Sequence, residues 1–312
     1  MCSSDLSRGE EGAVSMKLDP KEIAGWKLSS QHLEDAIREL RVTGYVIFEG
    51  VLASPRVQEL HSAFMEIFER YVAEIGDNRG KQRQGGVPLP IEGTFADPDL
   101  MGNPMVIDLL ERLLGPELVC SYFASDTPMP GSEYQPVHRD GKDLFPGVPV
   151  TVPPYMYELN VPLVDFRDDN GPLEVWPRTH LLSDFPLLEQ KRDELRVGNG
   201  QMKVTTETGR PVSILASEFR DTGVQNFASG LPGQRVLMPA GSFLVRDPRM
   251  WHRGTPNRSS AARPMLSLAY GRSWYRFNAV TIRREVYDAW PARVRELFRL
   301  ASIDGALSRE FA

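Results

Sequence analysis

The feature that most constrains the fold is a series of short β-type segments, bounded by proline or glycine, between residues 118 and 270. Several short strands separated by turn signals are typical of β-sandwiches and barrels. The sequence therefore predicts a mainly β core with one long interruption. The predicted strands are 118–123, 134–139, 155–164, 173–175, 234–238, 242–247 and 265–270.

Helices are predicted before and after this core. Apolar residues recur at three- and four-residue spacing in 32–40, in a segment that opens at Pro55, and in 103–114. A continuous apolar run at 44–48 predicts a buried strand between the first two helices. The segment 280–311 is also helical in character. We expect these helices to buttress a sheet.

These elements predict a single domain over residues 17–312, because barrel and sandwich folds of this length often form one unit. Residues 1–16 are expected to be a disordered tail or a start-site artefact. Residues 77–97, rich in Gly, Arg, Gln and Pro, are predicted to form a mobile loop. The parts of the domain are a helical N-terminal buttress at 30–115, a core at 118–275 with a lid or substrate-shaping insert at 181–230, and C-terminal helices at 280–311.

Composition narrows the classes of partner. The chain has 36 basic and 42 acidic residues, a net charge of -6, and no long block of like charge, which argues against binding of nucleic acid or of an anionic membrane. We therefore expect small-molecule partners. The first twenty residues lack an apolar stretch of the length that a signal peptide requires, and Cys2 and Cys120 form no disulfide framework. A cytoplasmic location is expected.

Two residues at the end of a predicted strand form the first part of a metal-ligand set. His138 and Asp140 are two positions apart, so their side chains project from the same face of the strand. His252 ends a second β-type run and supplies another imidazole. Two imidazoles and one carboxylate can hold Fe(II) on one face and leave three positions open, whereas zinc sites are more often tetrahedral. The set predicts a non-haem iron centre.

A basic residue opens the strand that follows His252. Alternation from Arg263 puts Met265 and Ser267 on the same face as this arginine, with Leu266 and Leu268 opposite. A guanidinium that faces the interior needs a counter-charge, and its geometry favours bidentate pairing with a carboxylate. A dicarboxylic cosubstrate would supply that charge. A salt bridge with an acidic residue of the chain is the alternative.

Four segments of the chain have an order and spacing that match those of a known protein family. They are VHRDGKD at 137–143, LNVPLVDFRDDNGPLEVWPRTH at 159–180, PAGSFLVRDPRMWHRGTPN at 239–257, and Arg263. On these segments most of the chain resembles the phytanoyl-CoA dioxygenase family of Fe(II)- and 2-oxoglutarate-dependent oxygenases. The resemblance implies a double-stranded β-helix, or jelly roll, with flanking helices. It also implies that His138, Asp140 and His252 bind iron and that Arg263 anchors 2-oxoglutarate.

Further residues are assigned by their position beside these groups. Asn160 and Ser267 are predicted to help to bind the cosubstrate because of their strand positions. Tyr134, Arg139 and Trp251 flank the ligands and are predicted to contact substrate, although surface solvation explains them equally well. The tripeptide that ends at His180 departs from the family's Gly-Ser-His in having Arg-Thr-His, and His180 is expected to be structural because the ligand set is already complete.

The resemblance also implies the reaction. Such an enzyme uses O2 and 2-oxoglutarate to oxidise a C–H bond of a small molecule, most commonly by hydroxylation, and releases succinate and CO2. A carboxylate at Asp140 disfavours halogenation, whereas desaturation, ring formation and epimerisation stay open. The competing interpretations are a cupin-type metalloenzyme, which normally needs three histidines and a glutamate, and a non-catalytic jelly-roll binding protein. The C-terminal helices are expected to act as a buttress or as a homodimer contact.

Overall fold

The structure is a computed structural model, and it describes residues 15–75, 83–141, 144–145, 150–183, 201–205, 211–215, 222–275 and 280–304. The predicted tail lies outside these ranges except for Ser15 and Met16, which begin the first strand. The predicted boundary of the tail at residue 16 is therefore wrong. None of the helices in the described ranges has the length and apolar character needed to cross a membrane.

Fourteen strands, eight α-helices and two 3₁₀-helices, Gly93–Ala96 and Thr179–Leu181, are described. The strands are β1 (Ser15–Lys17), β2 (Tyr45–Glu49), β3 (Arg83–Pro88), β4 (Leu118–Pro128), β5 (Met156–Pro162), β6 (Leu173–Val175), β7 (Gln201–Thr205), β8 (Pro211–Leu215), β9 (Gln234–Val236), β10 (Phe243–Arg246), β11 (His252–Gly254), β12 (Met265–Arg272), β13 (Thr281–Ile282) and β14 (Ser302–Ile303). The helices are α1 (Pro20–Gly25), α2 (Ser30–Val42), α3 (Ser54–Ile75), α4 (Pro98–Met101), α5 (Pro104–Leu114), α6 (Thr222–Ser229), α7 (Arg284–Ala289) and α8 (Ala292–Leu297).

Two sheets face each other and enclose the interior. The larger has seven strands in the order β1-β2-β10-β5-β12-β4-β3, and the smaller has the order β11-β6-β9. Side chains from both sheets form one buried cluster, so the sheets pack face to face. This architecture is a double-stranded β-helix with flanking helices, and the predicted fold class is confirmed. The cluster contains Tyr45, Ile47, Leu173, Val175, Val236, Met238, Leu244 and Met265.

Alternation along β12 separates the interior from the helical layer. Leu266 and Leu268 point outward into the large core that the helices complete, whereas Met265 points into the space between the sheets. Ser267, between the two leucines, therefore faces the interior. Helices α2, α3, α5 and α8 contribute apolar side chains to the outer core, and the C-terminal helices thus act as a buttress. The outer core includes residues from Met16 to Phe298, which is consistent with the predicted single domain.

Two predicted elements, the strand at 134–139 and the loop at 77–97, are wrong for identifiable reasons. The segment 134–139 forms only an isolated bridge, between His138 and His252, because Pro136 has no N–H to continue a ladder. The predicted loop 77–97 contains the edge strand β3, whose register shifts between Gln84 and Val87 at a Gly-Gly pair. The insert predicted at 181–230 stays a prediction: it contains the β7–β8 hairpin and α6, and its other residues lie largely outside the described ranges.

Candidate metal centre

The three predicted iron ligands lie together between the sheets. The candidate ligand atoms of His138, Asp140 and His252 all lie within 4.8 Å of one another. Nε2 of His252 is 3.0 Å from Oδ2 of Asp140, and Nε2 of His138 is 3.6 Å from Oδ1 of the same carboxylate. Two nitrogens and a carboxylate therefore converge on one point, as a facial ligand set requires.

Backbone pairing places the two imidazoles side by side. The N–H of His138 donates to the carbonyl of His252 at 2.9 Å, and the N–H of His252 donates back at 3.0 Å. Asp140 is held separately, because its N–H donates to the carbonyl of Pro248 at 3.0 Å. The segment that carries two of the ligands is thus fixed to the strand that carries the third.

Each histidine is oriented by its second ring nitrogen. Nδ1 of His138 lies 2.8 Å from the carbonyl oxygen of Pro136, and Nδ1 of His252 lies 3.0 Å from that of Met250. These acceptors favour the tautomer with the proton on Nδ1, which leaves the Nε2 lone pair free to bind a metal. Burial, together with the nearby His252, lowers the pKa of His138 to about 4. The imidazole of His138 is therefore neutral at pH 7, as metal binding requires.

Asp140 belongs to a buried charge network. Burial alone would raise the pKa of its carboxyl, but His252 and Arg246 hold that pKa well below its usual value. Nη2 of Arg246 donates to Oδ2 of Asp140 at 2.6 Å and also to the carboxylate of Glu158. Burial and the neighbouring carboxylates raise the pKa of Glu158 well above its usual value, although Arg246 opposes the rise. Asp140 is thus the carboxylate that stays charged.

Sequence reasoning missed Arg246 and Glu158. The available signal was strand alternation, because Leu244 of β10 lies in the interior cluster and Arg246 is two positions further along the same face. Glu158 faces Arg246 across the β5–β10 pairing. A charged residue at an inward strand position needs a partner, and this requirement could have identified the pair.

The predicted cosubstrate residues lie on one inward surface. Arg263 is 2% exposed, and its Nε and Nη2 donate to the carbonyl of Gly171 at 3.1 and 2.8 Å. Its guanidinium also stacks 4.0 Å above the ring of Phe166. Asn160 donates to Oγ of Ser267 at 2.9 Å, and the two residues face each other across β5 and β12. These positions agree with the predicted inward face, and the cosubstrate roles stay predictions.

The three predicted substrate contacts have other neighbours. Trp251 and Val137 alternate with the two histidine ligands and pack in a cluster with Val224 and Ala228 of α6, on the other face. The guanidinium of Arg139 donates to the carbonyls of Thr179 at 2.9 Å, Leu182 at 3.2 Å and Arg249, and stacks on Trp251. Tyr134 is 42% exposed and stacks on Arg253. These contacts point to structural roles, and substrate contact stays a prediction.

His180 lies away from the three ligands. Its Nε2 is 3.2 Å from the carbonyl oxygen of Arg41, and its ring packs against Gly44, where a Cβ would lie 2.7 Å from Nδ1. The positive φ of Gly44, +95°, also favours glycine. His180 therefore joins the turn before β2 to the segment after β6, which is a structural role.

The sequence profile of the phytanoyl-CoA dioxygenase (PhyH) family matches residues 40–265. This span includes all three candidate ligands and Arg263. The chain belongs to the phytanoyl-CoA dioxygenase family. Membership of this family confirms the predicted class, a non-haem iron- and 2-oxoglutarate-dependent dioxygenase, and its three cosubstrates and cofactors, Fe(II), 2-oxoglutarate and O2. It also removes the cupin and binding-protein alternatives.

Solved structures share the fold of this phytanoyl-CoA dioxygenase family member. AviO1 from Streptomyces viridochromogenes Tue57 is 19% identical, with a TM-score of 0.52, over 79% of this chain and 97% of that one. SnoK, a non-heme alpha ketoglutarate dependent carbocyclase from nogalamycin biosynthesis, is 20% identical, with a TM-score of 0.51, over 79% and 85%. EvdMO1 is 20% identical with a TM-score of 0.52, and the match covers 77% of this chain and half of that chain.

Proposed function

We propose that this chain hydroxylates a C–H bond of a small-molecule metabolite. One oxygen atom of O2 enters the substrate as a hydroxyl group, and the other enters succinate as 2-oxoglutarate loses CO2. The observation that carries the proposal is the convergence of His138, Asp140 and His252 between the two sheets of a phytanoyl-CoA dioxygenase family member.

The donor set fits the iron that the family implies. Nε2 of His138, Nε2 of His252 and one oxygen of Asp140 would hold Fe(II), which when bound supplies the site at which O2 is activated. The hydrogen bonds from the Nδ1 atoms keep both imidazoles in the ligating tautomer. Asp140 would fill the coordination position that a halide takes when no carboxylate ligand is present. The proposal therefore favours hydroxylation over halogenation.

Arg263 would bind the far carboxylate of 2-oxoglutarate. Its guanidinium is oriented by the carbonyl of Gly171 and by the ring of Phe166, so a bidentate contact would need little further ordering. Asn160 and Ser267 would add hydrogen bonds along the same surface. Contact of Tyr134, Arg139 and Trp251 with substrate belongs to the same proposal. It has less support than the role of Arg263, because Trp251 packs in a cluster on the other face of its strand.

Mass spectrometry of a metabolite pool tests the reaction type. Purified protein is incubated with Fe(II), 2-oxoglutarate, O2 and groups of candidate metabolites, and succinate is measured alongside the masses of the products. Gain of one oxygen, with an equal amount of succinate, is the expected result. Loss of two hydrogens would replace hydroxylation by desaturation or ring closure. No succinate above the background of His138→Ala with any pool would contradict the proposal.

Two structural relatives define the alternative reactions. SnoK is described as a carbocyclase, and SnoN is described as an epimerase in a complex with Fe3+, alpha ketoglutarate and nogalamycin RO, at 19% identity and a TM-score of 0.50. Epimerisation changes no mass, so chiral chromatography of the same samples is the matching assay. A stereoisomer of an added metabolite, without gain of oxygen, would assign this chain to that reaction instead.

We further propose a cytoplasmic location and a homodimer. Cys120 is a free, buried thiol, which suits a reducing compartment. Val294 and Leu297 of α8 pack into the core of the chain, so the dimer contact would have to use other residues. Sedimentation of the purified protein tests the homodimer, and a mass of one chain would contradict it.

A further inference from the structure

A buried arginine contacts the carboxylate ligand from inside the fold. Arg246, at the end of β10, is 3% exposed, and its Nη2 lies 2.6 Å from Oδ2 of Asp140. The same nitrogen donates to the carboxylate of Glu158, and Nε donates to Oδ1 of Asn160 at 2.9 Å. Glu158 and Asn160 both belong to β5, so the guanidinium is held by a strand that carries no metal ligand.

The network extends to the strand that follows Arg263. Asn160 donates to Oγ of Ser267 on β12 at 2.9 Å. A continuous chain of hydrogen bonds therefore runs from β12 through β5 and β10 to Asp140. Asp140 itself lies outside the ladder of either sheet, where its backbone is fixed by one hydrogen bond to Pro248. Arg246 donates the shortest contact to its side chain, at 2.6 Å from Oδ2.

Both oxygens of Asp140 face the histidines. Oδ1 lies 3.6 Å from Nε2 of His138, and Oδ2 lies 3.0 Å from Nε2 of His252. A carboxylate in this orientation can bind a metal through one oxygen or through both. A short hydrogen bond to a guanidinium competes with the metal for the lone pairs of Oδ2. Arg246 therefore favours ligation through one oxygen.

We propose that Arg246 is a positioning residue that restricts Asp140 to ligation through one oxygen. This inference rests on the proposed function, in which 2-oxoglutarate needs two open positions on the metal and O2 needs a third. Ligation through both oxygens of Asp140 would occupy one of those positions. Arg246 thus keeps the coordination sphere open, while Glu158 and the Asn160–Ser267 pair keep Arg246 in place.

The test compares metal coordination in folded variants loaded with Co2+ under anaerobic conditions. The d–d spectrum of Co2+ depends on the number and arrangement of its ligands. Arg246→Met is expected to bind Co2+, to show a d–d spectrum that differs from that of the wild type because a second oxygen of Asp140 replaces another ligand, and to lose 2-oxoglutarate affinity by a factor on the order of ten or more. Arg246→Lys, which keeps the charge and one donor, is expected to recover most of the affinity and of the wild-type spectrum.

Two controls separate positioning from stability. Arg249→Met removes another buried arginine, whose Nε donates to Oδ1 of Asp247 at 2.9 Å, and it should lower the melting temperature without changing the Co2+ spectrum. The double variant Arg246→Met/Glu158→Met removes the carboxylate that the single variant leaves unpaired, and it must show the same spectral change.

An unchanged Co2+ spectrum and an unchanged 2-oxoglutarate affinity in Arg246→Met and in the double variant would overturn the inference and leave Arg246 with a structural role alone. Failure of the proposed function has a different signature. In that case the wild-type Co2+ protein itself would bind no 2-oxoglutarate, whereas the spectra of wild type and Arg246→Met would still report whether Asp140 is restrained.

Discussion

Nε2 of His252 lies 3.0 Å from Oδ2 of Asp140, although six strands, β5 to β10, come between these two residues in the chain. The contact follows from the backbone, because His138 pairs with His252 and Asp140 donates to Pro248. The metal centre is therefore formed by the closing of two sheets on each other, and its geometry depends on the fold as a whole.

Metal binding should stabilise the wild-type protein. A divalent ion that binds only the folded state raises the free energy of unfolding by about 2.7 kcal/mol when its concentration is one hundred times its dissociation constant. Co2+ should thus raise the melting temperature of the wild type but not that of His138→Ala. His32→Ala, on α2, is the matched control and should respond as the wild type does. An equal response in His138→Ala would remove this residue from the centre.

Arg263→Lys should weaken the binding of 2-oxoglutarate. Lysine offers a point charge without the planar fork that pairs with a carboxylate, so the expected loss in affinity is about tenfold to one hundredfold. Titration calorimetry with the Co2+ protein measures it. Arg258→Lys, at an exposed position on the preceding turn, should bind 2-oxoglutarate as the wild type does. Equal affinities in all three proteins would contradict the assignment of Arg263.

Gly171→Ala should disturb the cosubstrate site through the backbone. Gly171 has a φ of +80°, and a Cβ there would lie 3.1 Å from the carbonyl oxygen of Thr255. The carbonyl of Gly171 holds Arg263, so we expect a higher KM for 2-oxoglutarate and a loss of about 1–2 kcal/mol of stability. Gly50→Ala is the control, because Gly50 also has a positive φ, +66°, but nothing within 4 Å of the added Cβ. A KM change shared by both variants would show that strain alone is responsible.

His180 should make stability depend on pH. Burial lowers its pKa from the ordinary value of 6.5 in the folded state. The unfolded chain therefore binds the proton first as the pH falls, so this contribution is complete above pH 6.5 and is lost below it. Denaturant unfolding at pH 7, 6 and 5 should give a steeper fall in the free energy of unfolding for the wild type than for His180→Asn. Identical slopes would contradict the burial of a neutral imidazole.

The predictable parts of the molecule are those set by local pattern. Alternation on β12 correctly placed Ser267 inward and Leu266 outward, and the two-residue spacing of His138 and Asp140 anticipated that these two side chains lie close together. What escaped prediction depends on partners distant in sequence. The inward position of Arg246 is tolerated because Glu158 of another strand pairs with it. A short stretch of sequence around Arg246 does not include this partner.

Two misplaced strands show the limits of pattern for a different reason. Tyr134 to Arg139 has the composition of a strand, but the missing donor at Pro136 reduces it to a single bridge. Conversely, the glycines of β3 led to the prediction of a loop, whereas in the structure they lie at a register shift within a strand. In both cases hydrogen-bonding capacity, rather than hydropathy, decides the structure.

The most direct test of the central claim is an anaerobic titration that needs no substrate. Fe(II) and then 2-oxoglutarate are added to the metal-free protein while the visible absorption is recorded. If His138, Asp140 and His252 hold Fe(II) with adjacent positions open, a charge-transfer band of the iron–2-oxoglutarate chelate should appear for the wild type, require more 2-oxoglutarate in Arg263→Ala, and be absent in His138→Ala. A wild type without this band, or a His138→Ala variant with a full band, would contradict the claim.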